Sequence, residues 1–280
     1  MPRPSSLFLC VLAIVSSGCR EEAPPPPPVK ITIAGSTAAY PLLKDAAARF
    51  SAQNKRISVE VAAGGSHVGI DRVSRGDVTL GASDVRVEPP LAHLLEDHTF
   101  AVVGYAVMAN KGMFDESIRS LTKEEVEGIF TGRYRNWAEV GGDDQPIVVI
   151  NRAKNSGTRS AFQALALGGK EFVAAADQDS SSDVLKVLLA TPGAISYLAL
   201  SYGDPLLLTF AYEGVAPTRE NVENGTYPLW SHEHLYSRGK ASEEVVEFLS
   251  FLTSGRYSRE VFPKLGFIPL KDMRVVRDSI

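Results

Sequence analysis

The feature that most constrains the fold is a unit of strand, small polar loop and helix that recurs after residue 29. Residues 30–34 have the β-branched character of a strand, residues 35–37 form a small polar loop, and Pro41 opens a helix. Strands predicted at 57–62 and 78–82 also end in small polar residues. This series predicts an α/β fold with a parallel sheet, in which the loops after the strands meet at one edge, where ligands bind.

The remainder of the chain continues the alternation of strands and helices. Residues 101–109 form a long apolar strand suited to crossing between two lobes. Thr122 and Glu125 form a capping box that opens another helix. We also expect strands at 147–150, 194–200 and 227–236, and helices near 66–75, from about Ser156, at 183–189 and at 242–252. We expect the helix near 66–75 to bury Val68, Ile70 and Val73, and the helix at 242–252 to bury Val245, Val246, Leu249 and Leu252.

Length and charge narrow the classes of function. The chain has 280 residues, of which 44% are hydrophobic and 22% charged, which is enough apolar material for two domains of ordinary size. Its formal net charge of -4 argues against binding nucleic acid through the overall electrostatic field. An anionic ligand would therefore need a local cluster of donors in a specific pocket.

The first 18 residues predict export. Arg3 gives a positive start, residues 7–15 are an apolar run too short to span a bilayer, and small residues at 16–18 lead to Cys19. This arrangement resembles the bacterial lipobox, whose cysteine is lipidated and becomes the mature N-terminus, although Ser16 stands where leucine is usual. A cleaved signal without lipid is the alternative. After processing, Cys19 would be the only cysteine, so no disulfide could form within one chain.

Five consecutive prolines follow at 24–28. A run of this kind adopts the extended polyproline conformation and cannot enter the interior of a sheet or a helix. We therefore expect residues 19–29 to comprise the lipidated cysteine and a stiff linker, which together hold a globular body off a membrane surface.

Several loops after the predicted strands carry groups that suit a tetrahedral oxyanion. We place them at strand-to-helix junctions, where free backbone N–H groups and the helix dipole favour an anion. Hydroxyl groups can donate hydrogen bonds without adding charge, and an arginine adds one positive charge in a planar fork. The candidate residues in these loops are Gly35, Ser36, Thr37, Ser66, Asp84, Arg152, Ser156, Gly157 and Thr158.

Asp84 is the informative member of this set. A carboxylate in an anion site is favourable only if the anion carries a proton for it to accept, because two like charges in a partly dry cleft repel each other. Hydrogen phosphate carries such a proton at neutral pH and sulfate does not. Asp84 is therefore predicted to filter ligands by protonation.

Each fragment is weak evidence by itself. Gly-Ser-Thr, a single serine or an aspartate before a helix is commonly only an N-cap, and an arginine near the start of a helix is usually solvated. The order and spacing of the fragments along the chain carry the signal.

Six stretches taken together resemble the signatures of the phosphate-binding proteins of bacterial phosphate ABC importers, in that family's order. The resemblance covers essentially the whole chain after the proline run. The stretches are AGSTAAYP from Ala34, GGSHVGI from Gly64, GASD from Gly81, NRAKNSGT from Asn151, TPGAISY from Thr191 and NVENGTYPL from Asn221.

This resemblance implies an α/β fold of the type II periplasmic-binding-protein class, with two lobes, a hinge of two crossing strands and a ligand cleft between the lobes. We expect residues 30–107 and 229–280 to form lobe 1, and residues 108–228 to form lobe 2. The crossing strands are expected near 103–109 and 227–236.

The resemblance also implies a function and a site. The function is high-affinity binding of inorganic phosphate and its delivery to the transmembrane subunits of an ABC permease. The protein would be a monomer in the periplasm or cell envelope, anchored to a membrane through Cys19, with no cofactor, no metal, no catalytic residue and no nucleic-acid partner. The implied phosphate-binding residues are Ser36, Thr37, Ala39, Tyr40, Ser66, Asp84, Arg152, Ser156, Gly157 and Thr158, and family members differ over which positions of 36–40 supply the donors.

Other functions remain as alternatives. The ligand could be another tetrahedral oxyanion, such as sulfate, molybdate or tungstate, although Asp84 argues against unprotonated anions. The protein could be a phosphate-sensing lipoprotein that delivers nothing to a permease. A secreted phosphatase would need a nucleophile with a base or a metal cluster, and neither pattern occurs in the sequence.

Two features that involve histidines are set aside. His67 follows Ser66, but adjacent side chains point to different faces and no Gly-x-Ser-x-Gly elbow surrounds the serine. His232 and His234 have the alternate spacing that could place two imidazoles on one face of a strand. Without a third ligand nearby in the sequence, a hinge strand with two polar positions is the preferred interpretation.

Overall fold

The predicted series of strands and helices is present in a computed structural model, which describes residues 27–111 and 118–277. The strands are β1 (Val29–Gly35), β2 (Ile57–Ala63), β3 (Leu80–Ser83), β4 (Leu95–Asn110), β5 (Ser120–Leu121), β6 (Val148–Arg152), β7 (Ala176–Gln178), β8 (Ala194–Ala199), β9 (Leu207–Thr209), β10 (Ala211–Tyr212), β11 (Trp230–Arg238) and β12 (Phe267–Pro269). The α-helices are α1 (Tyr40–Gln53), α2 (Ser66–Arg75), α3 (Lys123–Phe130), α4 (Gly157–Leu167), α5 (Ser181–Ala190), α6 (Arg219–Glu223), α7 (Glu243–Thr253) and α8 (Gly255–Val261).

The strands pair in the order β2-β1-β3-β11-β4-β8-β6-β7, and β9 and β12 also pair with β4. Strands β1, β2 and β3 are parallel to one another, and so are β6, β7 and β8. The fold therefore contains two parallel groups, each of which brings the loops after its strands to one edge. The sequence analysis missed the short strands β5, β7, β9, β10 and β12 and the short helix α6.

Strand β4 connects the two groups of parallel strands, and the apolar strand predicted at 101–109 lies within it. Its first part pairs with β11 from Leu95 to Gly104, and its last part pairs with β8 from Tyr105 to Ala109. The backbone N–H of Tyr105 donates to the carbonyl of Leu229 at 2.7 Å, immediately before β11 begins. The chain thus passes between the groups at two adjacent points.

Local sequence explains where the helices begin and end. Thr122 caps α3 in a reciprocal capping box with Glu125, as the sequence predicted. Ser156 caps α4 by accepting a hydrogen bond from the N–H of Arg159. Helix α2 ends at Gly76, whose φ of 78° lies in the left-handed region that glycine tolerates.

The buried apolar residues confirm most of the predicted core, with two corrections. Phe130 and Trp137 are fully buried, and the indole N–H of Trp137 donates to the carbonyl of Gly193 at 3.0 Å. The prediction that Val68 points inward was wrong, since it is only half-buried at the first turn of α2. Val246 was also misplaced: it is 49% exposed, because α7 turns Val245, Phe248 and Leu252 to the core instead.

The predicted signal peptide at 1–18 and the lipidated Cys19 lie outside the described residues, as does most of the linker at 19–29. Within residues 27–111 and 118–277, no helix combines the length and apolar character needed to cross a membrane.

The two adjacent valines of α7 provide a test of this packing. We expect Val245→Ala to lower the free energy of unfolding by about 2 kcal/mol, because it removes two buried carbons and leaves a cavity. Val246→Ala should change the free energy of unfolding by less than about 0.5 kcal/mol, since the side chain is largely solvated. Urea denaturation followed by circular dichroism measures both, and equal losses would contradict the orientation of α7.

Candidate anion-binding site

Loops from the two parallel groups face each other across the middle of the molecule. The first wall consists of three segments at the ends of β1, β2 and β3, which are residues 36–40, 64–67 and 83–84. Residues 152–158 and 179–181, at the ends of β6 and β7, are the second wall. The buried polar side chains of the two walls are Ser36, Thr37, Ser66, Ser83, Asp84, Arg152, Ser156, Thr158 and Ser181.

Arg152, the last residue of β6, is the buried cation of the second wall, with a relative exposure of 0%. Its Nη2 donates to Thr37 Oγ1 at 2.9 Å and its Nη1 to Ser181 Oγ at 3.1 Å. Its Nε has no hydrogen-bond partner among the described residues. The guanidinium is therefore held by neutral oxygens from both walls, and its Nε–H remains available as a donor.

The environment of Arg152 works against its charge. Burial lowers the pKa of the guanidinium, and the negative charge of Asp84 opposes that shift. Arginine nevertheless remains protonated in proteins. The site therefore contains a permanent positive charge that is largely removed from water and can be compensated by an anion.

Asp84 is the acceptor of the first wall and is 1% exposed. Its Oδ2 accepts a hydrogen bond from Thr158 Oγ1 of the second wall at 2.6 Å, and its backbone N–H donates to Ser66 Oγ at 3.0 Å. Its Oδ1 has no partner among the described residues. The prediction that Asp84 stands at a strand-to-helix junction was wrong, since an irregular segment follows β3 before a single 3₁₀ turn at Leu91–His93.

Gly157 allows the two walls to touch. A Cβ atom at this position would lie 2.1 Å from Ser66 Oγ and 3.2 Å from the Cβ of Asp84. No side chain fits there without moving the walls apart, so glycine is required by close approach rather than by backbone conformation. The first-turn N–H groups of α4, beginning with that of Gly157, lack intrahelical acceptors.

The predicted loop at 36–40 divides into different roles. Ser36 Oγ accepts a hydrogen bond from the N–H of Ala39 at 3.0 Å, so this serine organises the start of α1. Thr37 is occupied by Arg152 and by Ser181, whose Oγ lies 3.1 Å from Thr37 Oγ1. Tyr40 is the first residue of α1 and is half-buried, and Pro41 follows it. This loop supports the site mainly through its backbone and through Thr37.

Ser156 and Thr158 also have separable roles. Ser156 Oγ accepts from the N–H of Arg159 at 3.2 Å and is thereby the N-cap of α4. Thr158 directs its hydroxyl group to Asp84 in the other wall. Among the described residues, Thr158 is the only one of these two whose hydroxyl group forms a hydrogen bond with the first wall.

Three residues that join the walls were missed by the sequence analysis. Ser181 lies at the start of α5, and its signal was the hydroxyl-rich run before a predicted helix. Asn155 donates from Nδ2 to the carbonyl of Gly64 at 3.1 Å, and Tyr202 donates from its hydroxyl group to the carbonyl of Thr37 at 2.7 Å. The last two contacts depend on pairing between distant loops, which local patterns do not reveal.

The three histidines considered in the sequence occupy different environments. Ser66 is buried whereas His67 is exposed, and His67 Nε2 lies 3.1 Å from Ser160 Oγ. The rings of His232 and His234 have centroids 6.2 Å apart. Among the described residues, however, no group of three His, Cys, Asp or Glu side chains is arranged to hold a metal ion.

Comparison with known proteins matches residues 22–256 to the PBP superfamily domain. The chain is 41% identical over 253 residues to the phosphate-binding protein PstS of Bacillus subtilis strain 168, covering 89% of this chain and 83% of that protein. The chain belongs to the PstS family of phosphate-binding proteins.

Solved structures agree with this membership of the PstS family. A Clostridium perfringens protein described as a substrate-binding protein of a phosphate ABC transporter, with bound phosphate, has a TM-score of 0.81 and 27% identity, over 86% of this chain and 99% of that one. An ABC-type phosphate transport receptor from Vibrio cholerae has a TM-score of 0.69 and 27% identity, over 85% and 99% of the two chains. The mixed α/β fold is thus the fold of phosphate-binding proteins.

Gly157 offers a test of the contact between the walls. We expect Gly157→Ala to hold the walls apart, because the added methyl group would overlap Ser66. Double electron-electron resonance between labels on cysteines introduced at Gln53 and Glu171, in a chain that starts after Cys19, should give a longer mean distance than in the parent. Ala164→Ser adds one atom to the exposed face of α4 and should leave the distance unchanged. An unchanged distance in Gly157→Ala would contradict the contact.

Proposed function

We propose that this protein binds inorganic phosphate as hydrogen phosphate and delivers it to the transmembrane subunits of an ABC permease, without covalent chemistry. The ligand is held between lobe 1, comprising residues 30–107 and 229–280, and lobe 2, comprising residues 108–228. The names of the relatives, and the phosphate bound in the Clostridium perfringens protein, support this assignment.

The observation that carries the proposal is the pairing of a buried cation with a buried acceptor on opposite walls. Arg152 supplies a permanent positive charge, and its Nε is unused among the described residues. Asp84 supplies an acceptor oxygen, Oδ1, that no described donor occupies. An anion that carries one proton satisfies both groups, since it accepts from the arginine and donates to the carboxylate.

The remaining donors are neutral. The hydroxyl groups of Ser66 and Ser156 and the first N–H groups of α1, α2 and α4 can replace the hydration shell of the phosphate oxygens. Thr158 contributes as part of the first turn of α4, while its hydroxyl group donates to Asp84. Tyr40 contributes its backbone N–H at the start of α1. Ala39, whose N–H donates to Ser36, and Thr37 hold that loop and Arg152 in place. Gly157 contributes its N–H and the space that it leaves.

Closure of the two lobes follows from this division of donors. Neither wall alone can satisfy all four oxygens of a tetrahedral anion, so the ligand has more affinity for the closed state than for an open one and shifts the equilibrium toward it. The crossing segments at residues 103–109 and 227–236 form the hinge. The labels at positions 53 and 171 report this closure when phosphate is added.

The setting of the protein is the cell envelope. A signal peptide at 1–18, lipidation of Cys19 and the proline linker at 19–29 anchor a monomeric body on the outer side of a membrane, facing a permease. The type II arrangement of the lobes, with its two-strand hinge, suits recognition of the closed form by that permease.

Asp84 provides the test of ligand identity. We expect Asp84→Asn to lower the ratio of phosphate to sulfate affinity about tenfold or more, because the amide removes the repulsion of an unprotonated anion and keeps a polar contact. Calorimetric titration with phosphate, arsenate and sulfate measures the ratio. Wild-type protein should bind phosphate and arsenate, which share shape and protonation, and reject sulfate.

The control for this experiment is Asp179→Asn, which removes an exposed carboxylate from the second wall. The control should keep the wild-type ratio. If wild-type protein prefers sulfate, molybdate or tungstate, the proposed ligand is wrong. If Asp84→Asn keeps the wild-type ratio, phosphate binding stands but Asp84 is not the filter.

Arg152 should account for much of the affinity. We expect Arg152→Ala to weaken phosphate binding by about 2–4 kcal/mol, the scale for removing one partner of a buried charged pair. Arg152→Lys should recover only part of this loss, since an ammonium group cannot present the planar fork. Lys154→Ala removes an exposed charge from the same loop and serves as the control in the titration. Near-normal affinity in Arg152→Ala would refute the role of this arginine.

A further inference from the structure

A second buried acid lies behind the anion site. Glu233, in the middle of β11, has a relative exposure of 0%. Neither of its carboxyl oxygens receives a hydrogen bond from any donor among the described residues, and the same is true of Asp84 Oδ1. Buried polar atoms are rarely left without partners. The proposed anion accounts for Asp84 Oδ1, whereas the two oxygens of Glu233 require another explanation.

The strand register brings the two acids together. Strand β11 runs antiparallel to β3 and pairs His234 with Ser83, so the next residues along, Glu233 and Asp84, are neighbours. Ser231, two residues earlier on β11, donates from Oγ to the carbonyl of Asp84 at 3.0 Å. Both side chains are buried, at 0% and 1% relative exposure, so the register places the two carboxyl groups side by side away from water.

Two neighbouring carboxyl groups that are both buried cannot both stay ionised, because their negative charges repel each other away from water. Burial raises the pKa of Glu233 well above its ordinary value, and the charge and hydrogen bond of Asp84 raise it further. Asp84, in contrast, has Arg152 nearby and receives the hydroxyl group of Thr158. The shared proton therefore belongs on Glu233.

The other charged or titratable groups around this pair each have at least one partner, although His234 Nε2 and Arg277 Nε have none among the described residues. Tyr105 of β4 has its hydroxyl oxygen 2.5 Å from Ser231 Oγ, and burial, followed by the charges of Asp84 and Glu233, raises its pKa. Arg277 donates to the carbonyls of Pro228 and Trp230. On β11 itself, His234 Nδ1 lies 2.9 Å from Asp97 Oδ1, and burial lowers the pKa of His232.

We propose that Glu233 is a specificity-determining residue of the anion site: its carboxyl group keeps a proton and donates a hydrogen bond to the carboxylate of Asp84, so that the two acids together carry one negative charge. Asp84 thereby stays an ionised acceptor that is fixed in orientation. The residue acts through Asp84 and does not touch the ligand.

The number of charges on the pair determines which anion fits. With one negative charge, the pair accepts the single proton of hydrogen phosphate. With two negative charges, it would repel a dianion and would favour a more protonated ligand. Without the hydrogen-bond donor at position 233, the orientation of the Asp84 carboxylate would no longer be fixed, and Asp84 would reject sulfate less well. This part of the inference rests on the proposed function.

A test without ligand addresses the proton directly. In full-length protein, the folding equilibrium constant of wild type relative to Glu233→Gln should fall about tenfold for each pH unit above the ordinary pKa of glutamate, until the raised pKa of the folded state is reached. The reason is that folded wild type holds a proton that the unfolded chain has released, whereas the glutamine variant has none to hold. Urea denaturation over a pH series measures this ratio.

The matched control is Glu223→Gln. Glu223 is also largely buried, but its carboxylate forms ion pairs with Arg219 and Arg274. Its loss should not produce the same fall with rising pH. A wild-type to Glu233→Gln ratio that is constant or rises with pH would overturn the proposal, because Glu233 would then be ionised in the folded protein. Infrared spectra of wild type give a second reading, since the carbonyl band of a protonated carboxyl should be present there and absent in Glu233→Gln.

Titrations with phosphate and sulfate then test specificity. Glu233→Leu, which cannot donate, should lose about tenfold or more of the phosphate-to-sulfate ratio, while Glu233→Gln, which can donate, should keep more of it than Glu233→Leu. In wild type, phosphate affinity should fall when pH rises through the pKa of Glu233, and this fall should be absent in Glu233→Gln. Equal ratios in the two variants would overturn the role in specificity. A protein that passes the ligand-free test but binds no phosphate would refute the proposed function instead.

Discussion

The buried charge of Arg152 is the constraint on which the rest of the site depends. A guanidinium removed from water is costly unless something compensates it, and its bonds within the described part of the chain go to hydroxyl groups and a carbonyl rather than to a carboxylate. The protein therefore positions the cation without neutralising it. An anion can supply the missing charge, and the binding energy then includes relief of that cost.

Neutral donors follow from the same constraint. A second cation in either wall would strengthen the binding of any anion and would weaken discrimination among anions. Hydroxyl and backbone N–H groups, in contrast, favour an anion whose oxygens lie in the right positions to accept their hydrogen bonds. Gly157 serves this arrangement by its lack of a side chain, since only close contact between the walls excludes water from the donors. A site built from one charged group and several neutral donors therefore requires that the two walls fit closely together.

The sequence offered candidate residues for this site where the signal was local, and it missed contacts that arise from pairing between distant segments. Ser66, Asp84, Arg152 and Thr158 each lie at or after the end of a strand that β-branched residues made recognisable. Parallel pairing therefore brought Ser66 and Asp84 to the edge of one group of strands, and Arg152 and Thr158 to the edge of the other. The exposure of Val246 depends on the rotation of α7 about its own axis against the sheet. The hydrophobic periodicity does not decide whether Val245 or its neighbour Val246 faces the core. No pattern around Glu233 distinguishes a buried acid from a solvated one, because its burial arises from β3 and β4 on either side.

The proposed filter and the proposed hinge share the strand pair β4 and β11. Tyr105 of β4 and Ser231 of β11 are joined by their hydroxyl groups at 2.5 Å, and Ser231 also holds the carbonyl of Asp84. Glu233 stands on the same strand as Ser231, two residues further along. If the chain bends beyond Tyr105, where β4 leaves β11 for β8, these four residues move as one body and their shared proton stays in place. Closure would then move only the second wall relative to the first. Thr158, Arg152 and the anion would meet the carboxylate of Asp84, whose charge and orientation are already set.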